Sequence, residues 1–148
     1  ALRAENVGLH SKFGEMDKRP VLVMGDEEDL YPGEIKELVL SVLADELERR
    51  VTKPSRRSDV FSDLIEKNDY QGVYRKKKAE IQIILKNYTI MDAKTRKALQ
   101  DFGFGIEEDG KHYRMTYFGD DRYNTTVAKT PSDARAGKNI ARYIVREF

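Results

Sequence analysis

Apolar residues in the first half of the chain recur at three- and four-residue spacing, the period of a half-buried helix. From Glu34 to Val51, the residues Ile35, Leu38, Val39, Val42, Leu43 and Leu47 draw one apolar face. Glu34 and Glu37 lie in the first turn of this predicted helix and Arg49 and Arg50 in its last, as the macrodipole prefers. Pro54 stops it. Ser55 or Ser58 then caps a shorter helix carried by Val60, Phe61, Leu64 and Ile65 and ended near Asn68. Gly72 breaks the chain again, and a third helix from about Val73 to Asn87 buries Ile81, Ile84, Leu85 and Tyr88. Residues 34–88 therefore read as a three-helix unit with short links.

After residue 90 the rhythm changes. Asp92 caps a fourth helix that ends at Phe102, with Gly103 in the usual place just past the end. Phe104 and Ile106 alternate with polar residues, Asp109-Gly110 is a strong hairpin signal, and Tyr113, Met115 and Tyr117 alternate on the next strand. Gly119-Asp120-Asp121 turns the chain, and Thr125 and Val127 continue on a third strand. Thr130-Pro131-Ser132-Asp133 combines a capping side chain, a proline at a first helical position and a carboxylate in the first turn, which predicts a last helix from there to about Glu147. The expected fold class is α+β: an N-terminal helical unit, then an α-β-β-β-α module over 90–148 with a three-stranded antiparallel sheet.

Residues 1–19 lack sustained periodicity, and 1–33 read as an extended lead-in. Val21-Leu22-Val23-Met24, between Pro20 and Gly25, is an apolar run suited to a strand or to a tether docked on the body. Asp26-Glu27-Glu28-Asp29 and Tyr31-Pro32-Gly33 carry turn chemistry. The chain starts at Ala1, as an excised fragment or processed product would, and Leu2 and Leu9, seven apart, fit the tail of an upstream coiled coil.

Charge sharpens the picture. The 148 residues hold 27 Lys/Arg and 26 Asp/Glu, but unevenly. Residues 1–50 carry seven basic and twelve acidic side chains, and the remainder carries twenty and fourteen. A basic body behind an acidic head suits a polyanionic partner. Cysteine is absent, which excludes disulfides, thiolate metal sites and cysteine nucleophiles, and only His10 and His112 are present. No cofactor and no metal are expected, and no apolar stretch approaches the roughly 18 residues of a membrane span. An intracellular, cytoplasmic protein without membrane attachment is the expectation, as a domain of a larger protein.

Along the last helix, Arg135, Lys138, Asn139, Arg142 and Arg146 fall within about 60° of one direction at helical spacing. Ala134, Ile140, Ala141, Ile144, Val145 and Phe148 fall on the other side. A stripe of four cations without an acid can neutralise successive phosphates. An ordinary solvated face is the competing account. Arg75-Lys76-Lys77-Lys78 is a second basic cluster, better read as a solvated helix start, and Lys94, Arg96 and Lys97 add charge to the fourth helix. On the second strand, alternation places His112, Arg114 and Thr116 on the face opposite Tyr113, Met115 and Tyr117. An exposed imidazole beside a guanidinium is workable for phosphodiester cleavage, with His112 activating a 2′-hydroxyl and Arg114 steadying phosphate charge.

Gly110-Lys111-His112-Tyr113-Arg114, after a helix closed by a glycine turn and a short strand, resembles the HicA-type mRNA interferase toxins. That resemblance spans about 60 residues and implies His112 as the catalytic base of a metal-independent ribonuclease. Double-stranded-RNA-binding domains share the same order of elements, and their basic residues near the start of the last helix are matched by Lys129, Arg135 and Lys138. The last helix here is longer than in the toxins, and the dense lysine cluster of the duplex-RNA binders is missing. No phosphate-binding glycine loop, dinucleotide fingerprint, serine-hydrolase elbow or calcium loop is present. Three functions compete: a nucleic-acid-binding module for RNA or DNA using Lys111, the last helix and the open sheet; an RNA-cleaving domain; and an assembly domain meeting a protein partner or a second copy through Tyr31, the helical unit and the upstream region.

Overall fold

A computed structural model describes residues 19–148, so Leu2, Leu9 and His10 lie outside the described residues. Among the described residues five helices and one sheet follow in the order α1 (Glu34–Arg49), α2 (Arg56–Lys67), α3 (Val73–Leu85), α4 (Ala93–Phe102), β1 (Phe104–Asp109), β2 (His112–Tyr117), β3 (Asp120–Ala128) and α5 (Ala136–Glu147). The class is α+β, with α-β-β-β-α over the second half.

Local chemistry sets most of the boundaries. The Ser55 hydroxyl accepts from the Ser58 N–H while the Ser58 hydroxyl accepts from Ser55, a reciprocal cap on α2. Asp92 caps α4 by accepting from the Thr95 N–H at 2.7 Å, and this backbone donor lowers its pKa. Gly103 closes α4 at φ 129°, where a Cβ would also run into the Phe118 ring. The three strands pair antiparallel in sequence order, from Phe104↔Tyr117 to Asp109↔His112 and from His112↔Ala128 to Thr116↔Asn124. The register shifts at Thr116/Tyr117, next to the tight turn through Phe118 and Gly119.

One face of the sheet is covered and one is open. Phe104, Met115, Tyr117 and Val127 face inward and meet Leu99 and Phe102 of α4, Ala141 and Ile144 of α5, and Ile81 and Leu85 of α3, with Tyr88 just beyond. α3 packs against both α4 and α5, so the helical half and the α-β-β-β-α half share this core. α5 crosses α3 at Gly137, where a Cβ would overlap the Leu85 carbonyl oxygen. α1 and α2 pack on each other, and α1 also packs on α3.

Two expectations are corrected. α5 starts at Ala136 rather than at Pro131. The Asp133 carboxylate accepts from the Arg135 N–H at 2.8 Å and the Asp133 carbonyl from Ala136, so residues 131–135 form a turn. The second concerns α1, which buries Glu34, Glu37, Leu40, Ser41 and Ala44, while Val39 and Val42 of the apolar stripe stay exposed. The buried acids explain the orientation. Glu34 accepts from the Leu30 N–H at 2.6 Å, and Glu37 accepts from the N–H groups of Gln71 and Val73 at 2.9 and 3.2 Å. Glu37 thereby caps the N-terminus of α3, whose own N-cap, Gly72, has no side chain to do so.

Candidate nucleic-acid interface

Helix α5 presents its cations because Gly137, Ala141 and Ile144 face the core. That leaves Arg135, Lys138, Asn139, Arg142 and Arg146 exposed on the far side. Two of the four cations have local acids: Arg135 lies 3.7 Å from Asp133, and Arg146 lies 2.7 Å from Glu147. Lys138 and Arg142, one helical turn apart, have no ion-pair partner among the described residues. Exposed pairs such as those of Arg135 and Arg146 are worth little in water, about 0–1 kcal/mol, and yield easily to a phosphate.

A second basic group forms where the hairpin meets the end of β3. The Lys129 N–H donates to the Lys111 carbonyl at 2.9 Å, joining the β1–β2 turn to the chain leaving β3. Tyr113 is flanked by two cations, Arg96 at 5.3 Å and Lys129 at 5.2 Å from its ring centre, and Lys129 also approaches Glu108 at 3.6 Å. The Tyr113 pairing is invisible to sequence spacing, because Arg96, Tyr113 and Lys129 come from three separate segments. The signal that was available is the basic run Lys94, Arg96 and Lys97, of which Lys97 pairs with Asp101 instead. Tyr88 links this corner to α5. Its hydroxyl donates to the Ala128 carbonyl at 3.1 Å, and its Cβ lies against Gly137. Lys129 and Lys138 thus each adjoin a residue that touches Tyr88.

His112, Arg114 and Thr116 occupy the open sheet face, but with acids among them. Arg114 faces Glu107 across the strands and lies 3.8 Å from Asp121, and His112 faces Asp109. Among the described residues no side chain hydrogen-bonds His112. The open face is therefore of mixed charge, as is the hairpin corner with Glu108 beside Lys129, whereas the outer face of α5 carries Lys138 and Arg142 with no ion-pair partner among the described residues.

The Arg75–Lys78 cluster is drawn into the fold. Arg75 is held by Glu48 and Asp45, whose hydrogen bonds raise its pKa. Lys77 is folded among Tyr31, Phe102 and Phe118, with its ammonium 4.5, 4.4 and 5.3 Å from their ring centres. Arg75 stays exposed while held by Glu48 and Asp45, and Lys76 and Lys78 are exposed without an ion-pair partner among the described residues. Among the described residues no cluster of three His, Asp or Glu side chains is placed to hold a metal ion, and no helix is long and apolar enough to cross a membrane. Comparison with protein-family models, with curated proteins and with solved structures finds no match.

Proposed function

We propose that this chain is a nucleic-acid-binding module of a larger intracellular protein, gripping the phosphate backbone of RNA or DNA with the outer face of α5. The observation that carries this reading is the pair Lys138 and Arg142, exposed on adjacent turns and free of acid partners among the described residues. Arg135, Arg146, Lys111 and Lys129 extend the positive surface, and Asn139 supplies a donor and an acceptor between the cations. Lysine and arginine contacts of this sort position a phosphate backbone and carry no sequence information by themselves. Affinity for a duplex should therefore depend weakly on sequence and steeply on salt. About five phosphate contacts correspond to a slope of roughly −4 in log affinity against log salt.

The test is fluorescence anisotropy with duplex RNA and duplex DNA at two salt concentrations, on the parent and on a Lys138→Glu/Arg142→Glu variant. Loss of binding in the variant, with an unchanged circular dichroism spectrum, is the expected result. Equal affinity in parent and variant, or affinity that does not fall with salt, overturns the reading.

A second reading, metal-independent RNA cleavage, is supported by His112 and Arg114 sharing one open face. Incubating RNA with the parent and with His112→Ala decides it. Equal cleavage by both proteins, or cleavage by neither, removes His112 from any catalytic role.

A further inference from the structure

The outer face of α5 carries a ring beside its cations. Tyr143 is 37 % exposed, against 4 % for Phe102 and Tyr117, and no other aromatic side chain among the described residues stands so open. At helical spacing it lies about 40° from Asn139 and about 60° from Arg146, on the flank of the basic stripe. The ring is braced. It meets Phe148 edge to face, with centres 6.1 Å apart and planes at 80°, and Phe148 stacks in turn on the buried Tyr117 at 5.5 Å. The Arg146 guanidinium carbon lies 5.7 Å from the Tyr143 ring centre, while its Nε donates to Glu147. A ring and a guanidinium thus stand together at the C-terminal end of the stripe that Lys138 and Arg142 carry.

Cations alone are enough to keep a helix face solvated or to hold phosphates. A fixed, exposed ring adds a flat apolar surface, for which water is a poor neighbour. In a duplex the bases stack on one another inside, and such a ring meets only sugar and phosphate. A single strand leaves its bases free to unstack, and aromatic rings and guanidinium planes are the surfaces on which they settle. The width of the stripe points the same way. A duplex presents two rows of phosphates, whereas the unpaired cations of α5 form one row, Lys138 and Arg142. At the hairpin corner and on the open sheet, Lys129 and Arg114 stand with Glu108 and Asp121, which repel a second row, and Lys111 alone lacks an acid partner there among the described residues.

We infer that the partner of this face is single-stranded nucleic acid, with an unpaired base stacked on Tyr143 and neighbouring phosphates on Arg142 and Lys138. This rests on the nucleic-acid-binding reading of α5 and narrows it from any polynucleotide to one whose bases are free. Every base has a π face, so one stacking tyrosine selects for strandedness and is tolerant of sequence.

The test uses the 148-residue chain and fluorescence anisotropy with labelled oligo(U), oligo(dT) and duplexes of the same length. The single strands are expected to bind more tightly than the duplexes, and the two single strands show whether ribose or deoxyribose is preferred. Tyr143→Ala should weaken single-strand binding about tenfold and leave duplex binding within about twofold, while Tyr143→Phe, which keeps the stacking ring, should behave as the parent. The chain has no tryptophan, so Tyr143→Trp places a single reporter in the stripe, and its emission should be quenched by the single strands and not by the duplexes. Duplexes binding as tightly as single strands, Tyr143→Ala matching the parent on oligo(U) and oligo(dT), or Tyr143→Ala losing duplex and single strand alike each overturns the stacked base. In those cases a Lys138→Glu/Arg142→Glu variant that still loses binding leaves the phosphate grip of α5 standing. Binding of neither form by the parent overturns both.

Discussion

The Lys77 ammonium donates to the Phe102 carbonyl at 3.2 Å while standing 4.4 Å from the centre of the Phe102 ring. Phe102 is the last residue of α4, so its carbonyl is one of those a helix end leaves without an internal partner. A lysine from α3 thus satisfies the C-terminus of α4, and burial lowers its pKa. Removing the side chain strands that carbonyl and opens a gap among three aromatic rings. Lys77→Ala should destabilise the fold by about 2–3 kcal/mol, from the lost donor and the lost cation–π contacts. Lys77→Met, which keeps the stem, should lose about half of that. Urea denaturation of the two variants measures both.

Glu37 is the counterpart at the start of α3. Its carboxylate serves two backbone N–H groups, of Gln71 and Val73, that have no other cap. Glu37→Ala is expected to cost about 2–3 kcal/mol, because two partly buried donors lose a charged acceptor. Glu37→Gln keeps one carbonyl acceptor and should cost about 1 kcal/mol. Thermal melts that rank the two variants in the reverse order would show that the carboxylate is not acting as the cap.

Gly137 tests the α3–α5 crossing on which the exposure of Lys138 and Arg142 depends. A methyl group there collides with the Leu85 carbonyl, so Gly137→Ala should cost about 3 kcal/mol or more. Gly105→Ala is the contrast. It meets only the Thr116 carbonyl, at an ordinary 3.8 Å on the open sheet face, and should change stability by less than about 0.5 kcal/mol. Denaturant midpoints for both give the comparison.

Alkaline pH should unfold the protein through its tyrosines. Burial, with Glu34 and Glu37 nearby, pushes the Tyr31 hydroxyl up to about 12, and burial also raises Tyr70, Tyr88 and Tyr117. A hydroxyl whose folded pKa lies above its unfolded value holds its proton longer in the folded state. Its contribution is therefore complete below pH 10 and is lost as pH rises from about 10 to about 12. Melting temperatures across that interval should fall, with delayed tyrosinate absorbance at 295 nm. Tyr31→Phe should flatten the pH dependence. An unchanged slope would place the effect on the other tyrosines.

Short-range chemistry was legible because its partners are close in sequence. Ser55 with Ser58, Asp92 with Thr95, Gly103 after Phe102 and the Asp109-Gly110 turn each act within a few residues, and the α-β-β-β-α order follows from them. Alternation likewise put His112, Arg114 and Thr116 together on one sheet face. The same logic misplaced the start of α5, since Thr130-Pro131-Ser132-Asp133 is as competent to form a turn as to begin a helix. The Asp133 carboxylate and carbonyl, accepting from the Arg135 and Ala136 N–H groups, make it a turn. The cations of α5 were recognisable as a stripe. Which of them stand unpaired was not, because acids at one and two residues' distance engage Arg146 and Arg135.

Periodicity alone determined which side chains share a face of each helix, and so the existence of an apolar stripe on α1 and a basic one on α5. It did not determine which face is covered, since a repeat of 3.6 residues is indifferent to inside and outside. Tertiary structure made that choice. Glu37 reaches residues 34 and 36 positions away, Lys77 settles among rings from three other segments, and the α1 stripe is left turned to the surface. The physical reason is that satisfying a helix end buried in the fold outweighs covering a few exposed valines.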